Sequence, residues 1–193
     1  MDIRADTGAT VLAAIGRARG AGFRVAPPLA LAETHCFGFP ADCYFVTARL
    51  DGAEPAGRFW RERAHGLASR ERRRILMAFA RELRRFHDTG FYSGDANADN
   101  FLVRLTSPDE PEFFLLDLEN VRQPGQVSRR RRIKNLVQLQ RPVRGDVGKM
   151  DRLRFLRAYA GLPLRELRGW LAAIESLDAK KEAEYRARRQ RRV

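Results

Sequence analysis

The chain has 193 residues, a length that suits one domain or one domain with an appendage. Hydrophobic residues make up 44% of it, enough for a real core, and 37 Lys and Arg against 24 Asp and Glu leave a net charge of +13. That balance suits polyanionic partners (nucleic acid, phosphate-rich substrates, an anionic membrane face) and says nothing about fold. Cys36 and Cys43 are the only cysteines, which excludes a secreted scaffold built on disulfides. They flank a short turn, where they would either face each other across a hairpin or stand as half-buried thiols. With only His35 nearby, a metal site there is not expected. The opening "MDIRADTGATVLAAIG" has no basic start followed by a long apolar core, so no secretory signal is expected. No apolar run approaches the ~18 residues of a membrane span.

In chain order, residues 9–23 predict a short helix that ends at Gly20 or Gly22. "APPLALAETHC" and "CYFVTARL" predict two strands joined by the turn "FGFPAD", and "DGAEPAGRFW" a loop leading into a short helix. "SRERRRILMAFARELRRFHDTG" carries the clearest helical pattern. Ile75, Leu76, Phe79, Leu83 and Phe86 recur at three- and four-residue spacing with Arg opposite, and Gly90 ends the segment. A polar loop follows, then "NFLVRL" and "FFLLDL" as a hairpin around the turn "TSPDEPE". "ENVRQPGQVSRRRR" predicts a flexible basic loop. Helices are expected near residues 133–140, 148–160 and from 163 onward. The last carries Leu164, Leu167, Trp170, Leu171, Ile174 and Leu177 on one stripe, and its basic tail "EYRARRQRRV" is expected to fray. His35 and His87 are expected to be structural, His87 as a cap or dipole partner at a helix end. Trp60 and Trp170 are expected to pack.

The polar loop "YSGDANADN" crowds two Asp and two Asn into residues 95–100 just before a strand. Asx-turn chemistry between a helix and a strand is one explanation. The order of features supports another. A helix ends in His87; Asp95 follows; Asn100 comes five residues later; a hairpin then ends on Asp117. This order matches the phosphoryl-transfer plan of a protein-kinase C-lobe. One carboxylate faces the nucleophile, a role that suits Asp95. An amide and a second carboxylate hold Mg²⁺ together with phosphate oxygens, which suits Asn100 and Asp117. Such a reaction needs positioning and charge neutralisation rather than a covalent protein intermediate.

"LRRFHDTGFYSGDANADNFLV" resembles the catalytic loop of the lipopolysaccharide core sugar kinases, the Kdo/heptose kinase family, whose loop runs "LH..G..HGDLNAHNIL". Asp95, Asn97, Ala98 and Asn100 stand at matching positions. "FFLLDLENVR" resembles the family's metal-binding stretch, with Asp117 in the ligand place. "RRRRIKNLVQLQR" and "DRLRFLRAY" resemble helical segments that follow. The resemblance spans about residues 22–160 and is specific over 87–120 and 130–159. It implies an α+β protein-kinase-like fold with a mainly helical C-lobe and a truncated N-lobe. It divides the chain into an N-lobe remnant at 1–53, a C-lobe at 54–178 and a basic tail at 179–193. It implies ATP and Mg²⁺ as cofactors and phosphorylation of a Kdo or heptose hydroxyl in the lipopolysaccharide inner core. The expected location is the cytoplasm, peripheral at the inner face of the inner membrane.

The pattern departs in places. Ser93 replaces the His that usually stands two residues before the catalytic Asp, which leaves the loop less braced. Ala96 replaces Leu, and Asp99 stands where His is frequent. The sequence contains no G-x-G-x-x-G, no Lys before Lys134 and no Glu in its first helix, so it looks as if it starts inside the N-lobe. A start upstream of Met1 is the preferred explanation, ahead of a true truncation or a pseudokinase. If the hinge follows the second strand, adenine pairs with backbone groups around Ala48, Leu50 and Gly52.

The segment "SRRRRIK" reads as a grip on an anionic acceptor or equally as a solvated charged loop. The tail could lie on anionic lipid. It carries one Tyr and no other aromatic, so a stacking platform for nucleic acid is not expected. The alternatives to a sugar kinase are a catalytically inactive kinase-like binding module and another small-molecule phosphotransferase on the same fold.

Overall fold

The computed structural model describes residues 7–36, 39–107 and 110–190. Helix α1 (Thr7–Gly20) leads through a turn to β1 (Arg24–Val25) and the hairpin β2 (Pro28–Cys36) and β3 (Phe39–Thr47). Strand β4 (Ala53–Pro55), helix α2 (Ala56–Glu62) and helix α3 (Ser69–Asp88) follow. Then come β5 (Tyr92–Ser93), β6 (Phe101–Ser107), β7 (Glu110–Leu115) and β8 (Val121–Arg122). The chain closes with α4 (Arg129–Gln140), α5 (Lys149–Ala160) and α6 (Arg168–Gln190). One sheet has the order β1-β7-β6-β4, with β1 parallel to β7 and the other pairs antiparallel. The pairs β2–β3 and β5–β8 form two smaller antiparallel sheets.

Helix α3 is the central element, and the five apolar residues that predicted it are all buried. Its Phe79 ring lies 5.2 Å from Phe101 on β6, 5.2 Å from Phe113 on β7 and 6.0 Å from Phe155 on α5. One side chain thus joins the sheet to the helical layer. Removing such a ring typically costs about 3–5 kcal/mol. The helix ends because Thr89 Oγ1 donates to the Arg85 carbonyl at 2.8 Å and Gly90 turns to φ 88°. A Cβ on Gly90 would also stand 2.5 Å from the Gly125 carbonyl oxygen, so glycine is required there twice over. Arg85 lies over the Phe23 ring at 3.8 Å and donates to the Ala21 carbonyl at 3.0 Å, which ties the turn after α1 to α3.

Several expectations are corrected. Part of "DGAEPAGRFW" is strand β4, on the outer edge of the sheet, where Pro55 removes no ladder hydrogen bond from an inner strand. "SRRRR" is not a loop. Ser128 Oγ accepts from the Arg131 N–H at 3.4 Å and starts α4. The basic tail continues as helix to Gln190 rather than fraying; residues 191–193 lie outside the described ones. Leu164, placed on the apolar stripe, is exposed and lies before α6, while Asp178 beside that stripe is buried. No disulfide joins Cys36 and Cys43, because the register sets Cys36 opposite Phe39 and Cys43 opposite Glu33. The tips of the two predicted turns, residues 37–38 and 108–109, lie outside the described residues.

Candidate active site

The polar loop folds on its own side chains. Asn97 Oδ1 accepts from the Asp99 N–H at 3.2 Å, and the Asn97 carbonyl accepts from the Asn100 N–H at 3.1 Å. This is the Asx chemistry that the sequence suggests. Asn100 Nδ2 donates to the Asp95 carbonyl at 3.2 Å. That bond uses one of the amide's two N–H donors and leaves its oxygen free to accept. The Asp99 carboxylate accepts from the Arg58 N–H of α2 at 3.1 Å and from Arg61 at 3.4 Å, and so caps that helix. Gly57 permits this, since a Cβ there would stand 2.5 Å from Asp99 Oδ1.

The loop is braced even with Ser93 in place of His. Ser93 pairs with Val121 between β5 and β8, and its Oγ accepts from the Asp95 N–H at 3.2 Å. From α4, Asn135 Nδ2 donates to the Ser93 carbonyl at 2.8 Å, and Lys134 Nζ and Gln138 Nε2 donate to the Gly94 carbonyl at 3.1 and 3.2 Å. Gln138 Nε2 also reaches Asp95 Oδ1 at 3.5 Å, a long contact. Asn135 Oδ1 lies 3.1 Å from His87 Nε2, and His87 Nδ1 lies 2.7 Å from the Tyr159 hydroxyl. Since Oδ1 can only accept, Nε2 carries the proton and Nδ1 accepts from Tyr159. Burial lowers the His87 pKa to about 4, outweighing the Asn135 hydrogen bond, so the ring is neutral at pH 7. His87 is therefore not a helix-dipole partner, and Thr89 does the capping. Burial also pushes the Tyr159 hydroxyl well above its ordinary value.

Asn100 and Asp117 line one cleft of about 370 Å³. Val11 and Ile15 of α1, Phe45 of β3 and Leu115 at the end of β7 form its apolar walls, and Thr47 of β3 lines it beside them. Asp117 is exposed to this cleft with φ 45°, a left-handed conformation that non-glycine residues rarely take and that gathers at functional sites. Its carboxylate is not taken by any hydrogen bond or ion pair among the described residues. An amide oxygen and a carboxylate in one cleft fit Mg²⁺, which takes few protein ligands and completes its shell with water and phosphate oxygens. Among the described residues no group of three or more His, Cys, Asp or Glu is placed to hold a metal ion.

Asp95 is exposed and lies outside the cleft's lining, on the loop whose Asn100 lines it. Ala48, Leu50 and Gly52 connect β3 to β4, next to Thr47 but also outside the lining. The Ala48 N–H is engaged by the Pro27 carbonyl at 2.8 Å, and the Leu50 carbonyl accepts from Ala53 at 3.1 Å. The α4 residues Lys134, Asn135 and Gln138 were missed as loop supports. Their three- and four-residue spacing puts them on one helix face, the one signal that could have pointed to them.

The sequence matches the profile of the lipopolysaccharide kinase (Kdo/WaaP) family over residues 7–159. Among solved structures, "WaaP in complex with acyl carrier protein" is similar, with a TM-score of 0.72 and 26% identity over 89% of this chain and 75% of that one. The fold is thus the α+β protein-kinase-like fold. No match is found among curated proteins.

Proposed function

The chain belongs to the lipopolysaccharide kinase (Kdo/WaaP) family, and from that premise we propose that it transfers a phosphoryl group from ATP to a Kdo or heptose hydroxyl of the lipopolysaccharide inner core. One observation carries this reading: Asn100 and Asp117 share a cleft, and the Asn100 amide is bonded to the backbone of Asp95. Metal position and acceptor position are thereby mechanically linked.

Asp95 accepts the hydrogen bond of the acceptor hydroxyl, orients its oxygen and receives its proton as the new bond forms. Asn100 Oδ1 and the Asp117 carboxylate would hold Mg²⁺, which when bound neutralises charge on the phosphate oxygens. The apolar walls formed by Val11, Ile15 and Phe45 would shield a nucleotide bound in the cleft from water. Backbone groups around Ala48, Leu50 and Gly52 would recognise adenine, through positions other than the Ala48 N–H and the Leu50 carbonyl, which are already engaged.

No helix among the described residues is long and apolar enough to cross a membrane. The anionic glycolipid acceptor would be met at the cytoplasmic face of the inner membrane, with the basic end of α6 on anionic lipid at about 1 kcal/mol per basic residue near the surface. A second reading is a kinase-like binding module without catalysis. Incubation with γ-labelled ATP and deacylated core oligosaccharide separates the readings. Label transferred to the oligosaccharide and lost in Asp95→Asn supports the kinase; ATP binding without transfer supports the module; transfer only to unrelated small molecules would point to another phosphotransferase.

A further inference from the structure

A second concavity, about 920 Å³, lies between the N-terminal half of α4 and the middle of α6. Arg129, Arg130, Arg131, Lys134, Lys180 and Lys181 line it, and Glu184 is the one carboxylate among its lining residues. Glu184 is spent on Lys181 at 2.9 Å, and that hydrogen bond holds its carboxyl below the ordinary glutamate range. None of the other five cations has a carboxylate within ion-pair distance among the described residues; of the Arg run that opens α4, Arg132 alone pairs, with Asp88 at 2.7 Å. The run also occupies the first turn of a helix, where the dipole disfavours positive charge and no acidic residue offsets it. The groove thus concentrates uncompensated charge against the preference of its own helix.

The groove also has a direction. Tyr92 lines it, with the Arg131 and Lys134 cations 5.4 and 5.7 Å from the ring centroid. Lys134 Nζ donates to the Gly94 carbonyl, and Gly94 directly precedes Asp95. One end of the groove therefore meets the loop that would receive the acceptor hydroxyl.

We infer that the groove between α4 and α6 is the acceptor subsite, and that it binds phosphate or carboxylate groups already present on the sugar beside the hydroxyl to be phosphorylated. This rests on reading Asp95 as the residue that faces that hydroxyl. Arg forks and Lys ammonium groups are the donors such anions call for. The volume suits a few sugar rings. A concave wall with Ile133, Ala173 and Leu177 at its base fits an oligosaccharide better than a flat bilayer surface.

Arg130 and Lys180 test it, because both are exposed and neither carries a contact that holds the fold. Calorimetric titration without ATP would compare wild type with Arg130→Ala/Lys180→Ala. The probes are deacylated core oligosaccharide, neutral maltoheptaose and phosphatidylglycerol vesicles, and ATP·Mg²⁺ affinity is measured alongside. The expected result is that wild type binds the anionic oligosaccharide and not maltoheptaose. The folded double variant should bind it at least about tenfold more weakly, with ATP·Mg²⁺ affinity unchanged. Equal oligosaccharide affinity in the variant, or none in wild type, overturns the inference. So does a loss confined to the vesicles, which assigns the groove to the membrane. Groove-dependent oligosaccharide binding in a chain that binds no ATP leaves the subsite standing and removes the phosphotransfer reading instead.

Discussion

The Asn135 side chain donates a 2.8 Å hydrogen bond to the Ser93 carbonyl, so a fully buried residue of α4 holds the loop that carries Asp95. The same amide accepts from His87, which in turn accepts from Tyr159. Three elements distant in sequence converge on one carbonyl.

Asn135→Ala would leave the His87 N–H and the Ser93 carbonyl buried without partners. The expected cost is about 2–4 kcal/mol, read as a lower denaturation midpoint at unchanged slope. Phosphoryl transfer should fall further than the lost stability explains, since the loop loosens. An unchanged midpoint would mean that the network does not hold the loop.

The His87 pKa is lowered from 6.5 to about 4. The unfolded chain therefore binds a proton near pH 6.5 that the folded one refuses until about pH 4. The His87 contribution is fully present above pH 6.5 and is lost as pH falls from 6.5 toward 4, by roughly 3 kcal/mol. Melting wild type and His87→Gln from pH 7.5 to 4.5 checks this. The variant should be less stable at pH 7.5 and lose less on acidification; parallel curves would contradict it.

The sequence reveals α3 because its apolar residues repeat at helical spacing, and the loop from Asp95 to Asn100 because Asx chemistry is local. The partners of His87 stand 48 and 72 residues away, so no local pattern predicts that it is a neutral core residue. Strand β4 is hidden because Ala53–Pro55 is short, sits on an edge and contains a Pro. The start of α4 is masked by its charges, although Ser128 before the Arg run was a readable capping signal. Asn100 and Asp117 can be picked out by spacing, but their shared cleft depends on the β6–β7 hairpin and on α1 packing opposite.

Asp178 is 3% exposed and pairs with Arg144 at 2.7 Å and Arg141 at 3.5 Å, which pins α6 to the turn after α4. Both Arg side chains keep contact with water, so Asp178→Ala should cost less than a fully buried pair, about 1–2 kcal/mol. Limited proteolysis should then cleave within α6 first. A variant as resistant as wild type would show that the apolar stripe alone seats the helix.

Asp117 takes a left-handed φ that glycine adopts without strain. Asp117→Gly should therefore keep wild-type stability within about 1 kcal/mol, while any magnesium-dependent nucleotide affinity disappears. A clear drop in melting temperature would instead assign Asp117 a structural role.

The most direct measurement is calorimetric titration of the folded chain with ATP, with and without Mg²⁺, beside Asn100→Ala and Asp117→Gly. Magnesium-dependent binding in wild type, lost in both variants while both remain folded at the assay temperature, is the predicted result. Binding that is indifferent to magnesium, or that survives both substitutions, would contradict the assignment of Asn100 and Asp117 as the metal-holding pair.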